Sequence, residues 1–425
     1  MSEFVLLGIP DMHGSIRGKA LSPHAFEAAL QQGTVMTDLI LGLDPVDVPI
    51  TDYERFGIRT GAADLRVRPE PDTLHDLAWR PGWRVCLATP TWPDGSPCTI
   101  ATREVYRTVL DDVAALGYEV LSAIEYEIRL RDADDAPVSS GISYSVVEID
   151  RSHALLDALA PALEALGIDL DAVHTEAGPG LLELNLGPQR GLRAADDAAL
   201  VKFAVKQLAA AHGLRASFLA KTAPGEEGSS GHVHQSFWDA DVNAFASGKP
   251  ADPATPVLSA AVAGVLEHLP AASLLLNPTV NSYKRLTPGW FAPTNASWGY
   301  ENRSCAVRVI RSDHTERWRF ECRRPGADAN PYLALAAIAA SAADGVRRDL
   351  VPAPDVVGDA YARTDLPGLP GSLETALRAF EEDVAFRAML GAGFDDYYAT
   401  SRRWELSAWR EAVTDWERDR YERSV

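Results

Sequence analysis

The segment Ile124–Ile128, with the sequence Ile-Glu-Tyr-Glu-Ile, alternates apolar and acidic side chains. Successive side chains of a β-strand point to opposite faces, so Glu125 and Glu127 would share one face of a strand. Two carboxylates in that position repel each other unless a cation lies between them. A strand with one polar face usually turns it to solvent, but this pattern also predicts a strand that turns a cation-binding face into a cleft.

Three other segments separate a polar face from an apolar face in the same way. Their polar positions are Glu183 and Asn185, with His174 and Glu176 just before them; His232 and His234; and Arg319, Glu321 and Arg323. If the four faces converge, five carboxylates share one cleft, and that arrangement requires cations. We therefore expect a site built for divalent metal ions.

The residue types in these faces indicate a class of chemistry. Hard divalent ions such as Mg²⁺ and Mn²⁺ prefer oxygen ligands and tolerate an imidazole. Guanidinium groups bind phosphate and carboxylate through paired hydrogen bonds. Metal ions together with arginines are typical of enzymes that catalyse phosphoryl transfer, because both stabilise the charge on the transferred group. The chain has no GxxxxGK[ST] run and no GxGxxG run, which excludes a P-loop and a Rossmann site.

Composition limits the other classes of function. The chain has 425 residues, with 60 acidic and 40 basic side chains and a net charge of −20. This charge argues against nucleic acid or an anionic membrane as the main partner. The longest apolar run, Leu333–Ala343, is well short of the ~20 residues that span a bilayer. With no signal peptide pattern at Met1 and four cysteines outside any CxxC pair, we expect a cytoplasmic protein with reduced thiols.

The distribution of apolar segments predicts two domains, residues 1–98 and 99–425. The first part is β-rich with one helix, Ser22–Gln32, and it ends near the turn-rich block Pro90–Pro97. Beyond it, helical periodicities alternate with strand patterns, which predicts an α+β domain. The helices predicted there are Thr102–Leu116, His153–Leu166, Asp196–Ala211, Pro331–Arg347 and a long polar helix over Tyr398–Arg423 that carries Trp409 and Trp416 on one face.

Several blocks of the sequence resemble the signature of the glutamine synthetase superfamily, in the order of that family. The blocks are His174–Asn185, Gly228–Ser236, Asn277–Gly289, Asn302–Arg308, and Arg319–Arg323 followed by Asn330-Pro-Tyr332. The segment Asp11–Lys19, Asp-Met-His-Gly-Ser-Ile-Arg-Gly-Lys, resembles the start of the subgroup that ligates glutamate to amines, forming γ-glutamylpolyamines or γ-glutamylethanolamide.

The resemblance implies a fold, an assembly and a set of ligands. The fold would be an N-terminal β-grasp domain followed by a glutamine synthetase-type catalytic domain, a curved antiparallel sheet flanked by helices. The assembly would be a dodecamer of two stacked hexameric rings, with active sites between neighbouring subunits. The ligands would be ATP, glutamate, an amine and two or three Mg²⁺ or Mn²⁺ ions, with neither nucleic acid nor membrane as a partner.

Carried over position by position, the resemblance also implies roles for single residues. One metal would lie on Glu127, Glu176 and Glu183, and the other on Glu125, His232 and Glu321, the same carboxylates that the strand alternation selects. The residues near ATP would be His234, Ser236, Arg308 and Arg319. Gly228 and Arg285 would contact glutamate, with Arg285 on its α-carboxylate. Arg303 and Arg323 would stabilise the transferring phosphoryl group.

Three departures from glutamine synthetases proper concern the nucleophile. The flap glutamate that takes a proton from ammonium is Phe291 here, next to Trp290. The Asp-Gly-Ser-Ser motif of the N-terminal domain is missing, and the asparagine that contacts glutamate is Glu227. We interpret this as retained acyl-phosphate chemistry with a larger amine as nucleophile, its methylene chain against Phe291 and Trp290. Glu227 is either the base that deprotonates the amine or an exposed loop residue.

Other interpretations of the same sequence stay open. Phe291 could pack in a differently built flap of an enzyme that still uses ammonia. The chain could also be a non-catalytic homologue that senses nitrogen or has a structural role, although all six metal positions are filled. The acid could be other than glutamate. His174, which precedes one of the metal-binding positions, is a candidate to orient Glu176.

Overall fold

The computed structural model describes residues 3–425, whose strands form two sheets. The N-terminal sheet has the order β2-β1-β6-β4-β3, with β5 beside β6; β1 and β6 run parallel and the other pairs antiparallel. Helix α1, Pro23–Gln32, begins after Ser22, whose hydroxyl caps its first turn. The strands are β1 Phe4–Pro10, β2 Ile16–Leu21, β3 Thr34–Thr37, β4 Asp64–Pro69, β5 His75–Asp76 and β6 Trp83–Thr91.

The second sheet has ten strands in the order β14-β15-β16-β12-β7-β9-β8, with β10 and β11 beside β7 and β13 beside β12. All of its pairs are antiparallel except β14 with β15. The strands are β7 Glu119–Arg131, β8 Leu170–Thr175, β9 Leu181–Leu186, β10 Gln189–Arg190, β11 Arg215–Ser217, β12 Gly231–Asp239, β13 Val242–Asn243, β14 Trp298–Tyr300, β15 Val307–Ile310 and β16 Arg319–Cys322. The α+β class and the curved sheet with flanking helices are confirmed.

The helices that follow α1 along the chain include those that pack on the apolar face of this sheet. They are α2 Thr102–Ala115, α3 Val146–Ile149, α4 His153–Ala165, α5 Leu192–Ala211, α6 Pro256–Leu276, α7 Ser282–Arg285, α8 Pro331–Arg347, α9 Leu373–Glu382, α10 Val384–Met389, α11 Phe394–Glu411 and α12 Asp415–Tyr421. Helices α6 and α8 touch through their backbones at Gly264 and Gly345. A Cβ at Gly264 would lie 2.1 Å from the Ser341 carbonyl, and one at Gly345 would lie 2.0 Å from the Ala260 carbonyl. Only glycine permits this approach.

Helix α6 is the one element of residues 3–425 that is long and apolar enough to cross a membrane by length and composition. Of its apolar window, 72% is buried inside the protein, which is the position of a core helix. The sequence analysis missed α6 as a helix because apolar residues occur on all sides of it, so it lacks the one-sided periodicity that marks a surface helix.

The C-terminal prediction of one helix over Tyr398–Arg423 is wrong. The chain forms two helices, α11 and α12, and leaves helical conformation between them. Thr414 starts the second helix, because its hydroxyl accepts from the Glu417 amide while the Glu417 carboxylate accepts from the Thr414 amide. Trp409 and Trp416 therefore lie on different helices, and both are more than half exposed.

The Asp11–Lys19 motif forms the turn between β1 and β2 and continues into β2. The Asp11 carboxylate accepts hydrogen bonds from the amides of His13 and Ser15, both at 2.9 Å, and from Arg17 Nε at 2.7 Å. The carbonyl of Asp11 accepts from Asn330 Nδ2 at 2.8 Å. Asn330 also caps α8, so the N-terminal loop is fixed to the start of the central core helix.

A buried imidazole connects three helices behind the sheet. His268 Nδ1 lies 2.7 Å from Asp383 Oδ2, and its Nε2 lies 3.0 Å from Asp344 Oδ2. Burial lowers the pKa of His268, but the hydrogen bonds to Asp383 and Asp344 outweigh it, and the pKa is raised above its ordinary value. The imidazole is therefore held as a cation between two carboxylates.

We expect His268→Gln to lower the melting temperature more at pH 6 than at pH 9. A raised folded-state pKa means that the stabilisation is complete below the unfolded-state pKa and is lost as pH rises through the folded-state pKa. At pH 6 the substitution should lower the free energy of unfolding by about 1–3 kcal/mol. The measurement is thermal unfolding over a pH series, with the exposed His212→Gln as the control. Equal losses at all pH values would contradict the charged imidazole.

Candidate active site

The strand register brings the predicted polar faces together. Strand β7 lies between β12 and β9, so Glu125 is opposite His232 on one side and Asn185 on the other. Two residues further along β7, Glu127 is opposite Glu183. Antiparallel partners that face each other have Cβ atoms about 5 Å apart, so these side chains meet on one face of the sheet.

One cluster of potential metal ligands lies around His232. Its Nδ1 lies 3.5 Å from Glu125 Oε2 and 3.5 Å from Glu321 Oε1. His234 Nε2 lies 2.9 Å from Glu125 Oε1. Burial would raise the pKa of Glu125, but the neighbouring imidazoles of His234 and His232 hold it well below its usual range. Glu125 is thus a carboxylate anion shared between two histidines.

Glu321 is fully buried and is held by two guanidinium groups. Arg308, opposite Glu321 in the sheet, donates from Nη1 to its Oε2 at 3.1 Å, and Arg323 donates to its Oε1. Burial raises the pKa of Glu321, but the charges of Arg323 and of the nearby imidazoles outweigh this effect and lower the pKa to about 2. Arg308 also donates to Glu301 at 2.7 Å, at the rim of the site.

A second cluster lies around His174, at the end of β8. His174 Nε2 lies 3.1 Å from Glu183 Oε1, and its Nδ1 lies 3.4 Å from Glu176 Oε1. The hydrogen bond to Glu183 raises the pKa of His174. Burial raises the pKa of Glu176, and the charges of Glu127 and Glu183 add to that effect. These carboxylates crowd one another, and a cation would relieve the repulsion.

Glu127 is a further buried carboxylate of this second cluster. Its Oε2 accepts a hydrogen bond from the Ser230 amide at 2.7 Å. Burial raises the pKa of Glu127, and the charge of Glu183 raises it further. The two clusters are continuous, because Glu125, Glu183 and His232 also offer ligand atoms within 4.8 Å of one another.

All the predicted site residues line one of two adjoining clefts. The larger cleft has a volume of about 730 Å³. Its predicted members are Glu125, Glu127, Glu176, Glu183, Glu227, Gly228, His232, Arg285, Trp290, Phe291, Arg303, Arg308, Glu321 and Arg323. The smaller cleft, of about 450 Å³, contains His234, Ser236 and Arg319, and it shares Glu125 and Asn185 with the larger one. The shared residues join the two spaces.

Arg285 forms part of the floor of the larger cleft. It is buried, and its Nη2 donates to the carbonyls of Arg324 and Pro325 at 2.5 and 3.1 Å. Gly228 packs directly on it, because a Cβ there would lie 2.2 Å from Arg285 Cγ. The glycine thus leaves room for the arginine to reach the cleft from below.

The flap, residues 287–293, forms one edge of the larger cleft. Gly289 has φ +84° and Phe291 has φ +52°, a left-handed conformation that side chains rarely adopt. The Phe291 ring is 58% exposed, and Trp290 contributes to the wall of the cleft. Trp290 and Phe291, the two residues expected from the sequence to contact the amine, therefore both line the larger cleft.

Glu227 lies at the same end of the cleft, on the loop before β12. Its backbone carbonyl accepts from the buried Arg129, which also forms an ion pair with Glu226 at 3.1 Å. Arg129 Nη1 donates to the Pro179 carbonyl at 2.6 Å, so the guanidinium connects this loop with the one that follows Glu176.

The sequence analysis missed two residues that shape the cleft. Arg129 continues the period of two from Glu125 and Glu127, and that period was the signal that could have revealed it. Tyr144 stacks on His174 with ring centroids 4.3 Å apart and lines the larger cleft. No periodic pattern marks Tyr144, because it lies in a loop with φ +54°.

The family model for the glutamine synthetase catalytic domain matches residues 99–421. The chain therefore belongs to the glutamine synthetase family. Enzymes of this family are ligases of nitrogen metabolism that use ATP and divalent metal ions, and they bind small-molecule substrates.

The relatives include both amine ligases and glutamine synthetases. The chain is 35% identical to the γ-glutamylethanolamide synthetase GlnA4 of Streptomyces coelicolor, over 98% of this chain and 91% of that protein. It is 32% identical to the glutamate–isopropylamine ligase of a Pseudomonas species, over 99% and 95%, and 33% identical to the glutamine synthetase of Thermus thermophilus, over 99% and 95%. The ligand-free structure of GmaS superposes with a TM-score of 0.87 at 28% identity, over 99% of this chain and 97% of that one.

The donor set fits the divalent ions of the family. Carboxylates predominate, the imidazoles of His174, His232 and His234 adjoin them, and the buried Nε2 of His232 has no hydrogen-bond partner among the described residues. Oxygen donors with one imidazole suit Mg²⁺ and Mn²⁺.

We expect Mn²⁺ to bind to the two clusters and to raise the melting temperature, since an ion that binds the folded state stabilises it. Glu183→Gln and Glu321→Gln should each reduce the number of tightly bound Mn²⁺ ions, counted by equilibrium dialysis. The control is Glu267→Gln. Glu267, His268 and Asp344 also place their possible ligand atoms within 4.8 Å of one another, but the Glu267 carboxylate already forms an ion pair with Arg348. Unchanged stoichiometry in both site variants would refute the metal assignment.

Proposed function

We propose that the protein is an ATP-dependent carboxylate–amine ligase that joins a primary amine to the γ-carboxylate of glutamate. The amine would be a polyamine or a small monoamine such as ethanolamine. The observation that carries the proposal is the contrast within one cleft. The carboxylate, imidazole and arginine set is complete, whereas the flap presents Phe291 in place of the carboxylate that serves ammonium. Two relatives support this assignment by their names, a γ-glutamylethanolamide synthetase and a glutamate–isopropylamine ligase.

The proposed ligand sets follow the two clusters. One divalent ion would be held by Glu127, Glu176 and Glu183, and the other by Glu125, His232 and Glu321. When bound, these ions would neutralise the phosphates of ATP and the γ-carboxylate of glutamate so that the two can approach. His174, which contacts both Glu176 and Glu183, would orient these carboxylates.

The chain's own side chains would bind and orient the substrates. Arg285 and Gly228 would contact glutamate, with Arg285 on the α-carboxylate. The smaller cleft, with His234, Ser236 and Arg319, would take ATP, and Arg308 would contact its phosphates. Arg303 and Arg323 would stabilise the charge on the phosphoryl group during its transfer, an effect of a few kcal/mol for each well-placed donor.

The nucleophile would enter between the flap and the Glu227 loop. The product of phosphoryl transfer is γ-glutamyl phosphate, whose carbonyl carbon accepts attack by an uncharged amine. Glu227 would take the proton from the incoming alkylammonium ion, and Trp290 and Phe291 would contact its hydrocarbon part. The nitrogen then bonds to the carbonyl carbon, the bond from that carbon to the phosphate oxygen breaks, and inorganic phosphate leaves with the second proton of the nitrogen.

We further propose domain limits of 1–98 and 99–425, a dodecamer of two hexameric rings and a cytoplasmic location. The limits and the assembly rest on the family resemblance. The location is supported by the four cysteines, all of which are buried free thiols, as expected in a reducing compartment.

Glutamine synthesis from ammonia is the second candidate function, since relatives at 30–33% identity carry that name. One experiment separates the two. The purified protein with ATP, Mg²⁺ and glutamate should release ADP when ethanolamine, methylamine or putrescine is added and much less with ammonium. Mass spectrometry should identify the γ-glutamyl amide. Turnover with ammonium alone would make the protein a glutamine synthetase, and silence with every amine would favour another acid or a non-catalytic role.

We expect Glu227→Gln to lower kcat/KM for the amine by about 10²-fold, since a positioned general base typically contributes that much. The defect should shrink as pH rises, because the fraction of amine that is already deprotonated increases. The KM values for ATP and glutamate serve as internal controls and should change little. A pH-independent defect, or none, would show that Glu227 takes no proton from the amine.

A further inference from the structure

The indole of Trp290 already has a cation over its face. Lys221 Nζ lies 4.2 Å from the centroid of the ring. The backbone of Lys221 is held in place by Asn281, because the Lys221 amide donates to Asn281 Oδ1 and Asn281 Nδ2 donates to the Lys221 carbonyl, both at 2.9 Å. Lys221 Nζ also donates to the Glu226 carbonyl. The ammonium is therefore fixed against the flap.

The loop next to this ammonium carries little spare negative charge. The Glu226 carboxylate lies 3.1 Å from Arg129 and 4.0 Å from Arg131. Glu227 is the neighbouring carboxylate that lines the cleft, and the described residues give it no ion pair within 4 Å. Arg129, Arg131 and Lys221 thus already offset the charges of Glu226 and Glu227, and the described residues at this end of the cleft offer no further carboxylate to a second ammonium group.

We propose that the amine substrate is a primary monoamine with an uncharged distal end, and that Lys221 is the residue that excludes diamines and polyamines. This inference rests on the proposed function. The face of a tryptophan is the preferred receptor for a second ammonium group. Here Lys221 occupies one face of Trp290 and repels a like charge that approaches the other. An alkyl or hydroxyalkyl tail meets no such penalty beside Trp290 and Phe291.

The neighbouring cleft offers an alternative position for a second ammonium. It shares Phe291 and Arg303 with the larger cleft and contains the carboxylates of Glu301, Asp355 and Asp359. Glu301 already pairs with Arg308 at 2.7 Å. Arg303 and Arg311 lie in the same cleft as Asp355 and Asp359, and Asp359 accepts a hydrogen bond from the Tyr361 amide at 2.9 Å. We therefore expect this cleft to bind the second ammonium group of a diamine only weakly. Substitution of its aspartates tests whether a diamine binds there.

The test compares butylamine with putrescine, which have the same carbon chain and differ by the distal amino group. The wild-type protein should show a kcat/KM for butylamine about ten-fold or more above that for putrescine. Lys221→Met should reduce this ratio towards one, mainly through a lower KM for putrescine, and Lys221→Gln should do the same if the methionine variant folds poorly. Lys221→Arg should restore the wild-type ratio. Lys249→Met, at an exposed lysine far along the chain, is the matched control.

Three results would overturn the inference. One is equal use of putrescine and butylamine by the wild-type protein, which would leave the proposed function intact. The second is a ratio that Lys221→Met does not change. The third is putrescine turnover that Asp355→Asn and Asp359→Asn abolish. Turnover with ammonium alone would instead refute the proposed function on which this inference rests.

Discussion

Mutual repulsion among five carboxylates on one sheet is the constraint around which this structure is organised. The strand register forces Glu127 to face Glu183 and places Glu125 beside two histidines. Histidines and arginines neutralise the cluster at the Glu321 end, whereas the cluster at the Glu176 end has a single imidazole between its carboxylates. The opposite face of the same strands is apolar and buried. The strands therefore cannot turn their charged face to solvent without exposing apolar side chains.

The members of the site could be predicted from the sequence because strands have a period of two. Glu125, Glu127, His232, His234 and Glu321 were selected by alternation, and the structure brings them to adjoining clefts. Which of them face each other could not be predicted, because the register of β7 with β12 pairs residues more than 100 positions apart and depends on the packing of the whole domain.

Errors in the predicted elements also have physical causes. Helix α6 is apolar on all sides and shows no amphipathic period, so periodicity alone does not distinguish it from a buried strand. The two C-terminal helices share a polar composition, and the capping interaction of Thr414 with Glu417 is the local signal that separates them. The contact of Lys221 with Trp290 joins two irregular loops, for which sequence periodicity carries no information.

The close contact of α6 and α8 has a consequence for how such a protein can change. Two helices whose backbones touch at Gly264 and Gly345 tolerate no added atom at the contact, and α8 is in turn fixed to the N-terminal loop through Asn330. A larger side chain is thereby excluded at this contact, whereas the flap at the mouth of the cleft carries no such steric limit. A lineage built on this framework can acquire new substrates by altering loops such as 220–228 and 287–293 while the contact of the two helices stays the same.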